Sequence, residues 1–215
     1  VGILQIGIPS AFQYSLFAFA NLFVQSSVNS FDHVLVEGNS AAANADPLVY
    51  DMMAAFYTAC SSFIAQNFGA RKKKRILQTY LICLFYSFIT SLVLGVGIYL
   101  ARYPFLYLFT SDKAVVEAGI TRLSIMALSY SASAFMDASI AASRGLGKTA
   151  VPTFVVVMGS CVFRIIWIDT IFAYFHTIQS LYILYVFSWG ITAIAENIYF
   201  FHVYRHTLTE KKELC

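Results

Sequence analysis

The chain has 215 residues, of which 59% are apolar and 12% charged, and its formal net charge is +3. A soluble domain carries roughly 25% charged residues, so a water-soluble monomer is excluded, and 17% aromatic residues exclude a disordered chain. A polytopic membrane protein remains: at about 20 apolar residues per span, this length holds six helices and short loops.

Hydropathy places six spans at residues 3–28, 48–68, 76–102, 118–143, 150–175 and 181–204. Continuous apolar runs such as 80–100 are too long for the roughly 10-residue alternating strands of a membrane barrel. The expected fold is an all-α membrane protein, a single six-helix transmembrane bundle in the lipid bilayer. The chain opens on Val1 without an initiator methionine, which predicts a piece of a longer protein.

The first span carries Gln13, Asn21, Gln25 and Asn29 on steps of four residues, with Phe17 completing the row. Such a row forms one broad stripe. An amide facing lipid costs several kcal/mol, on the order of its transfer into an apolar medium. The stripe therefore faces other helices or a wet cavity. Gly7-Ile8-Pro9 predicts a helix start at the proline, which lacks a backbone donor. The segment that follows reads as a long loop containing Asp32, Glu37 and Asp46 and no Lys or Arg.

After the second span comes the basic turn Arg71-Lys72-Lys73-Lys74-Arg75. A patch for nucleic acid or anionic lipid is the rival reading. Its place in a tight turn between two spans makes it a topology signal, and no nucleic-acid partner is expected. The fourth span is rich in Ser and Ala from Ser129 onward and contains Asp137. A helix of small residues packs closely against others, and a carboxylate at that depth is paired, wet or protonated.

Arg164 in the fifth span follows Pro152 by 12 residues, about 18 Å along a helix, and so lies near or past the midplane. Its candidate partners are Asp137, at a depth differing by about 10 Å, Asp169, and backbone carbonyls. Glu196 of the sixth span is the third intramembrane charge. Transport and scaffold roles are both open to these three residues.

Ten of the 14 basic residues fall on one side: the five of the basic turn, Arg144, Lys148, Arg205, Lys211 and Lys212. The positive-inside rule then puts both ends of the segment in the cytoplasm. Cys60, Cys83 and Cys161 read as small apolar residues inside helices, and the four cysteines have no metal-site spacing. His202 and His206 form HxxxH without an acidic ligand at matching spacing, and Arg144-Gly145-Leu146-Gly147-Lys148-Thr149 fails the phosphate-loop spacing. No enzyme, metal or cofactor is expected.

The loops carry a further signal. Asn29-Ser30-Phe31, Gly38-Asn39-Ser40-Ala41-Ala42-Ala43-Asn44, Gln66-Asn67-Phe68-Gly69-Ala70, Leu108-Phe109-Thr110-Ser111-Asp112, and Arg144-Gly145-Leu146-Gly147-Lys148-Thr149 with Pro152 occur in that order. The ordered set, with Pro9 before it, resembles the second half of MATE (multidrug and toxic compound extrusion) transporters of bacterial type.

The resemblance implies the C-terminal lobe, helices seven to twelve of a twelve-helix transporter in the bacterial cytoplasmic membrane. It implies antiport of organic cations against H+ or Na+ by alternating access, with an N-terminal lobe as partner. Gln13, Asn21, Gln25, Asn29, Tyr57, Asp137, Arg164 and Glu196 become candidates for the substrate and ion pathway. Amides and aromatic rings suit organic cations through hydrogen bonds and cation–π contact.

One departure stands out: some branches of the family place a coupling carboxylate on the seventh helix and another on the tenth, whereas here no Asp or Glu occurs between Val1 and Phe31, and Asp137 lies about one turn from the acid expected on the tenth. The principal coupling acid is therefore expected in the N-terminal lobe. Asp169 falls where the family is apolar, and nothing in the sequence explains it. A related flippase of lipid-linked or polysaccharide precursors is the alternative transporter, favoured by a basic cleft for which Arg164 is the candidate. A non-transporting scaffold formed by six helices is the alternative of another class.

Overall fold

A computed structural model describes residues 2–206, with the backbone alone described for residues 2–6, 9 and 10. Lys211, Lys212 and Cys215 lie outside the described residues. The helices are α1 (Gly2–Val28), α2 (His33–Ala43), α3 (Ala45–Gly69), α4 (Lys73–Leu100), α5 (Arg102–Tyr107) and α6 (Lys113–Gly145). They continue with α7 (Ala150–Phe175) and α8 (Ile178–His206). Among the described residues, five stretches are long and apolar enough to cross a membrane: α2 and α3 taken together, α4, α6, α7 and α8. The 27-residue α1 is also long enough to span.

Two expectations about element limits are corrected. The stretch read as a long first loop is helix α2, begun by Asp32, whose side chain accepts a hydrogen bond from the Leu35 amide at 2.9 Å. Its Ala-rich sequence favours helix, and Gly38 lets it lie on α6. A Cβ at Gly38 would stand 2.7 Å from the Gly119 nitrogen and 2.8 Å from the Val115 oxygen. Pro9 does not start α1, whose helical backbone runs from Gly2 through it. A transmembrane helix tolerates an interior proline because neighbouring groups re-satisfy the freed carbonyl.

Helix α6 is the centre of the bundle, packed against α2, α3, α4 and α8. It buries 67% of its most apolar stretch, against 22% for α4. Ser133, Ala134, Ala138, Ser139, Ala142 and Ser143 are all enclosed, and these small side chains allow the close approach that membrane bundles need. The Tyr80 hydroxyl then joins three helices, donating to Asn197 Oδ1 at 2.6 Å and lying 3.0 Å from Ser139 Oγ. Such interhelical bonds add about 0.6 kcal/mol each in a membrane.

Helix α7 carries two wide π-helical stretches, Val157–Val162 and Ile168–Phe172. At the first, the Ser188 hydroxyl donates to the Gly159 carbonyl at 3.1 Å, and Ser160 and Thr192 hydroxyls lie 3.3 Å apart. Partners on α8 thus satisfy groups that the altered helix leaves free. Helix α1 rests mainly on α7. Its buried side chains Gln13, Ala20, Val24 and Val28 mark the inner face. At the basic end, the Lys73 ammonium donates to the Arg205 carbonyl at 3.0 Å and lies 5.2 Å from the Tyr204 ring. The basic turn and the end of α8 are therefore on the same side.

Candidate functional site

A cavity of about 580 Å³ lies between α1 and the central helices. From α1 it receives Gln13, Phe17, Asn21 and Gln25, so the amide stripe turns inward. Asn29, the last of the four, stands outside it, and its Oδ1 accepts from Gln25 Nε2 at 2.9 Å. Tyr57 and Asp137 are also on the wall, with Tyr50, Tyr185 and Trp189. The last three pack edge-on or tilted, Tyr50 to Trp189 at 6.1 Å and Tyr185 to Trp189 at 5.5 Å between ring centroids. With Asp46 and Asp137 the wall holds amides, rings and two carboxylates, and a concave site of this kind suits a small amphipathic ligand.

The basic end of the cavity is closed by Arg144. Its Nη2 donates to Gln13 Oε1 at 2.8 Å, and the Thr153 hydroxyl donates to the same oxygen at 3.3 Å. One amide oxygen thereby ties α1, α6 and α7 together. Arg144 reaches that point because α6 ends tightly there. Gly145 sits where a Cβ would stand 2.7 Å from the Ser61 oxygen, and Gly147 takes φ +77°, which only glycine adopts without strain. Asp137, two turns back along α6 on the same wall, lies within the field of Arg144.

The opposite end is closed by a network that the sequence reading did not contain. Arg122 Nη2 donates to Asp46 Oδ2 at 2.6 Å, and its Nη1 donates to the Asn39 carbonyl at 3.0 Å. The Tyr130 hydroxyl donates to the second Asp46 oxygen. Asp46 is in the first turn of α3, not in a loop, and Arg122 is buried within α6. Arg122→Gln is expected to lower stability by about 2 kcal/mol, because it removes charge-assisted hydrogen bonds and leaves the half-buried Asp46 without its cation. A thermal unfolding series with Asp46→Asn and the double variant checks this, and additive losses would show that the two groups do not interact.

Arg164 and Glu196 are both fully buried and neither lines the cavity. Arg164 pairs with neither Asp137 nor Asp169; its Nη1 donates to Asn21 Oδ1 at 2.7 Å and its Nε to Ser188 Oγ at 3.4 Å. The Phe17 and Tyr185 rings flank the guanidinium at 4.7 and 4.5 Å. The cations on the cavity wall are Arg122 and Arg144, so Arg164 does not make a basic cleft. Asp169 is exposed at the far end of α7.

The sequence profile of the MatE family matches residues 9–168. The chain belongs to the MatE family. Its members are transporters, not enzymes. Among solved structures, a MATE protein in the straight conformation superposes with a TM-score of 0.88 at 18% identity, over 96% of this chain and 46% of the other. The Vibrio cholerae MATE transporter VcmN in the bent form gives 0.83 at 19%, over 97% and 46%. An outward-facing multidrug resistance MATE transporter of the MOP superfamily gives 0.86 at 19%, over 95% and 46%. The chain thus spans about half the length of these structures and has the fold of a MATE half-lobe. No curated protein sequence matches it.

Within this MatE lobe the motif residues serve turns and close approaches. Asn67 caps the end of α3, its Nδ2 donating to the Phe63 carbonyl at 2.8 Å, while the Lys72 amide donates to the Asn67 carbonyl at 2.9 Å. The Gln66 carbonyl accepts from the Ala70 amide at 3.0 Å, and Gly69 is the last residue of α3. Arg71 completes the turn at φ 58°. Pro152 is buried in the first turn of α7, where its missing donor costs no helix bond.

Proposed function

We propose that the chain is the C-terminal lobe of a secondary transporter that exports organic cations in exchange for H+ or Na+. The carrying observation is the cavity, whose amides, aromatic rings and Asp137 line the inner face of α1 in a MatE fold. Tyr50, Tyr57, Tyr185 and Trp189 offer π faces to a cation, and Asp137 offers a carboxyl group at the end nearest Arg144. Each wall arginine has an acidic neighbour, Asp46 for Arg122 and Asp137 for Arg144, which leaves little net positive field to hold an anion. A second lobe would cover the open side, and rocking of the two lobes would expose the cavity to each side in turn. The Lys and Arg distribution supports a setting in a bacterial cytoplasmic membrane with both ends of the segment in the cytoplasm.

The test is efflux of a cationic dye from vesicles bearing the protein under an imposed proton or sodium gradient. Export is expected under one of the two gradients. Asp137→Asn is expected to lower the gradient-driven rate by about tenfold, equivalent to about 1.4 kcal/mol on the transport barrier. Dye retention under both gradients would sink the proposal.

A further inference from the structure

Glu196 is enclosed on α8, with 0% of its surface exposed and no hydrogen-bond partner on either carboxylate oxygen among the described residues. It lies seven residues beyond Trp189 of the cavity wall, about two turns toward the basic end. Arg144 of α6 is the charged group whose field reaches it, yet the two are not within ion-pair distance. Tyr199 follows one turn later on α8. The neighbouring part of α7, residues 150–163, has Cys161 as its titratable side chain, and α1 brings Tyr14 and the uncharged Gln13 to this end.

Arg144 is committed elsewhere, to Gln13, and its Nε is itself buried without a partner. Two groups of opposite sign therefore lie near each other, unjoined, each with hydrogen-bonding capacity unmet. An ionised carboxylate enclosed without a donor is strongly disfavoured. A bound proton removes the conflict.

We propose that Glu196 is a proton-binding carboxyl of this lobe, and that its proton decides whether Arg144 holds Gln13 or turns to Glu196. With the proton bound, Arg144 remains on Gln13 and the basic end of the cavity stays tied to α1 and α7. When the proton leaves, the carboxylate attracts the guanidinium, and Gln13 and the inner end of α1 are released. Population shifts of this kind need a differential interaction in the two states, and the new Arg144–Glu196 pair supplies it. The inference deepens the transport reading by giving this lobe a proton site of its own; its test reads the carboxyl directly and does not depend on observing efflux.

Dicyclohexylcarbodiimide adds to protonated carboxyls in apolar surroundings, and the acylurea adduct is located by peptide mass mapping. The full protein is expected to be labelled at Glu196 at low pH, with labelling lost as pH rises and unaffected by sodium at constant pH. Arg144→Gln is expected to move the midpoint upward by about one pH unit, because a nearby cation that favours the ionised form has been removed. In hydrogen exchange, the inner half of α1 is expected to lose protection at high pH in the wild type and to keep it in Glu196→Gln. Absence of a Glu196 adduct at every pH, an adduct indifferent to pH, or protection by sodium instead of by alkali would each overturn the proposal.

Discussion

Gly95→Ala is expected to be among the most damaging single-methyl changes in this bundle, and Gly97→Ala, half a turn away on the same helix, to be harmless. A Cβ at Gly95 would stand 2.0 Å from the Ala127 carbonyl oxygen, while one at Gly97 meets nothing within 4 Å. The obstacle at Gly95 is backbone in the middle of α6, which cannot rotate aside as a side chain does. Relief therefore requires α4 to move off α6 along part of its length. Overpacking of this kind costs about 3 kcal/mol or more, which for a chain of this size lowers Tm by roughly 10 °C. Gly97→Ala should leave Tm unchanged or raise it slightly, since alanine favours helix by about 1 kcal/mol over glycine. Thermal unfolding of both variants in detergent is the measurement, and equal losses would show that the α4–α6 contact is not as close as described.

Arg164 should separate stability from position. The guanidinium is fully buried, no carboxylate lies within ion-pair distance among the described residues, and its Nη2 has no partner. A buried charge in that state opposes folding, and replacing it with an apolar side chain of similar size is often neutral or stabilising by about 1–4 kcal/mol. Arg164→Met is therefore expected to match or exceed the wild type in thermal unfolding. Asn21 is exposed on the cavity side, so its amide finds water when the arginine is gone. What Arg164→Met loses is the tie from α7 to α1, seen as faster hydrogen exchange through the middle of α1. Arg164→Lys retains the charge but can neither bridge Asn21 and Ser188 nor lie flat between the Phe17 and Tyr185 rings. It is expected to be less stable than both. A lysine variant as stable as the wild type would refute this account of the guanidinium.

The opposed outcomes expected for arginine to methionine and arginine to lysine say what kind of residue this is. Arg164 lies between the two π-helical stretches of α7, which change the direction in which that helix presents its side chains. The sequence leaves Asp137, Asp169 and backbone carbonyls open as partners of Arg164; in the structure the guanidinium meets Asn21 and the α8 hydroxyl instead. The Ser188 hydroxyl accepts from Arg164 and donates to Gly159, so the same residue satisfies the altered backbone and positions the cation.

The number and placing of the long helices, the polar stripe of α1 and the close packing of α6 are legible in the sequence because hydropathy, amide spacing and small-residue content are local properties. The loop motifs are legible for the same reason, since Gly147 and Asn67 act on their own turns. The family follows from the order of those motifs. Helix α2 was not legible, because its placing depends on Gly38 meeting the backbone of α6 about 80 residues later. Nor was the Arg122–Asp46–Tyr130 network, which joins residues 76 and 84 positions apart and was hidden once Asp46 was assigned to a loop.

Few charges in a largely apolar chain, together with long continuous apolar runs, determined that this protein is a helical membrane bundle. The same sequence also singled out Asp137, Arg164 and Glu196 as exceptions, since burial of charge is costly wherever it happens. Which exception meets which partner was decided by the tertiary structure alone: Asp137 on the cavity wall, Arg164 on α1, Glu196 enclosed opposite Arg144. Hydropathy sums along one chain, whereas a hydrogen bond between helices depends on their relative rotation and depth, and those are set by packing across the whole bundle.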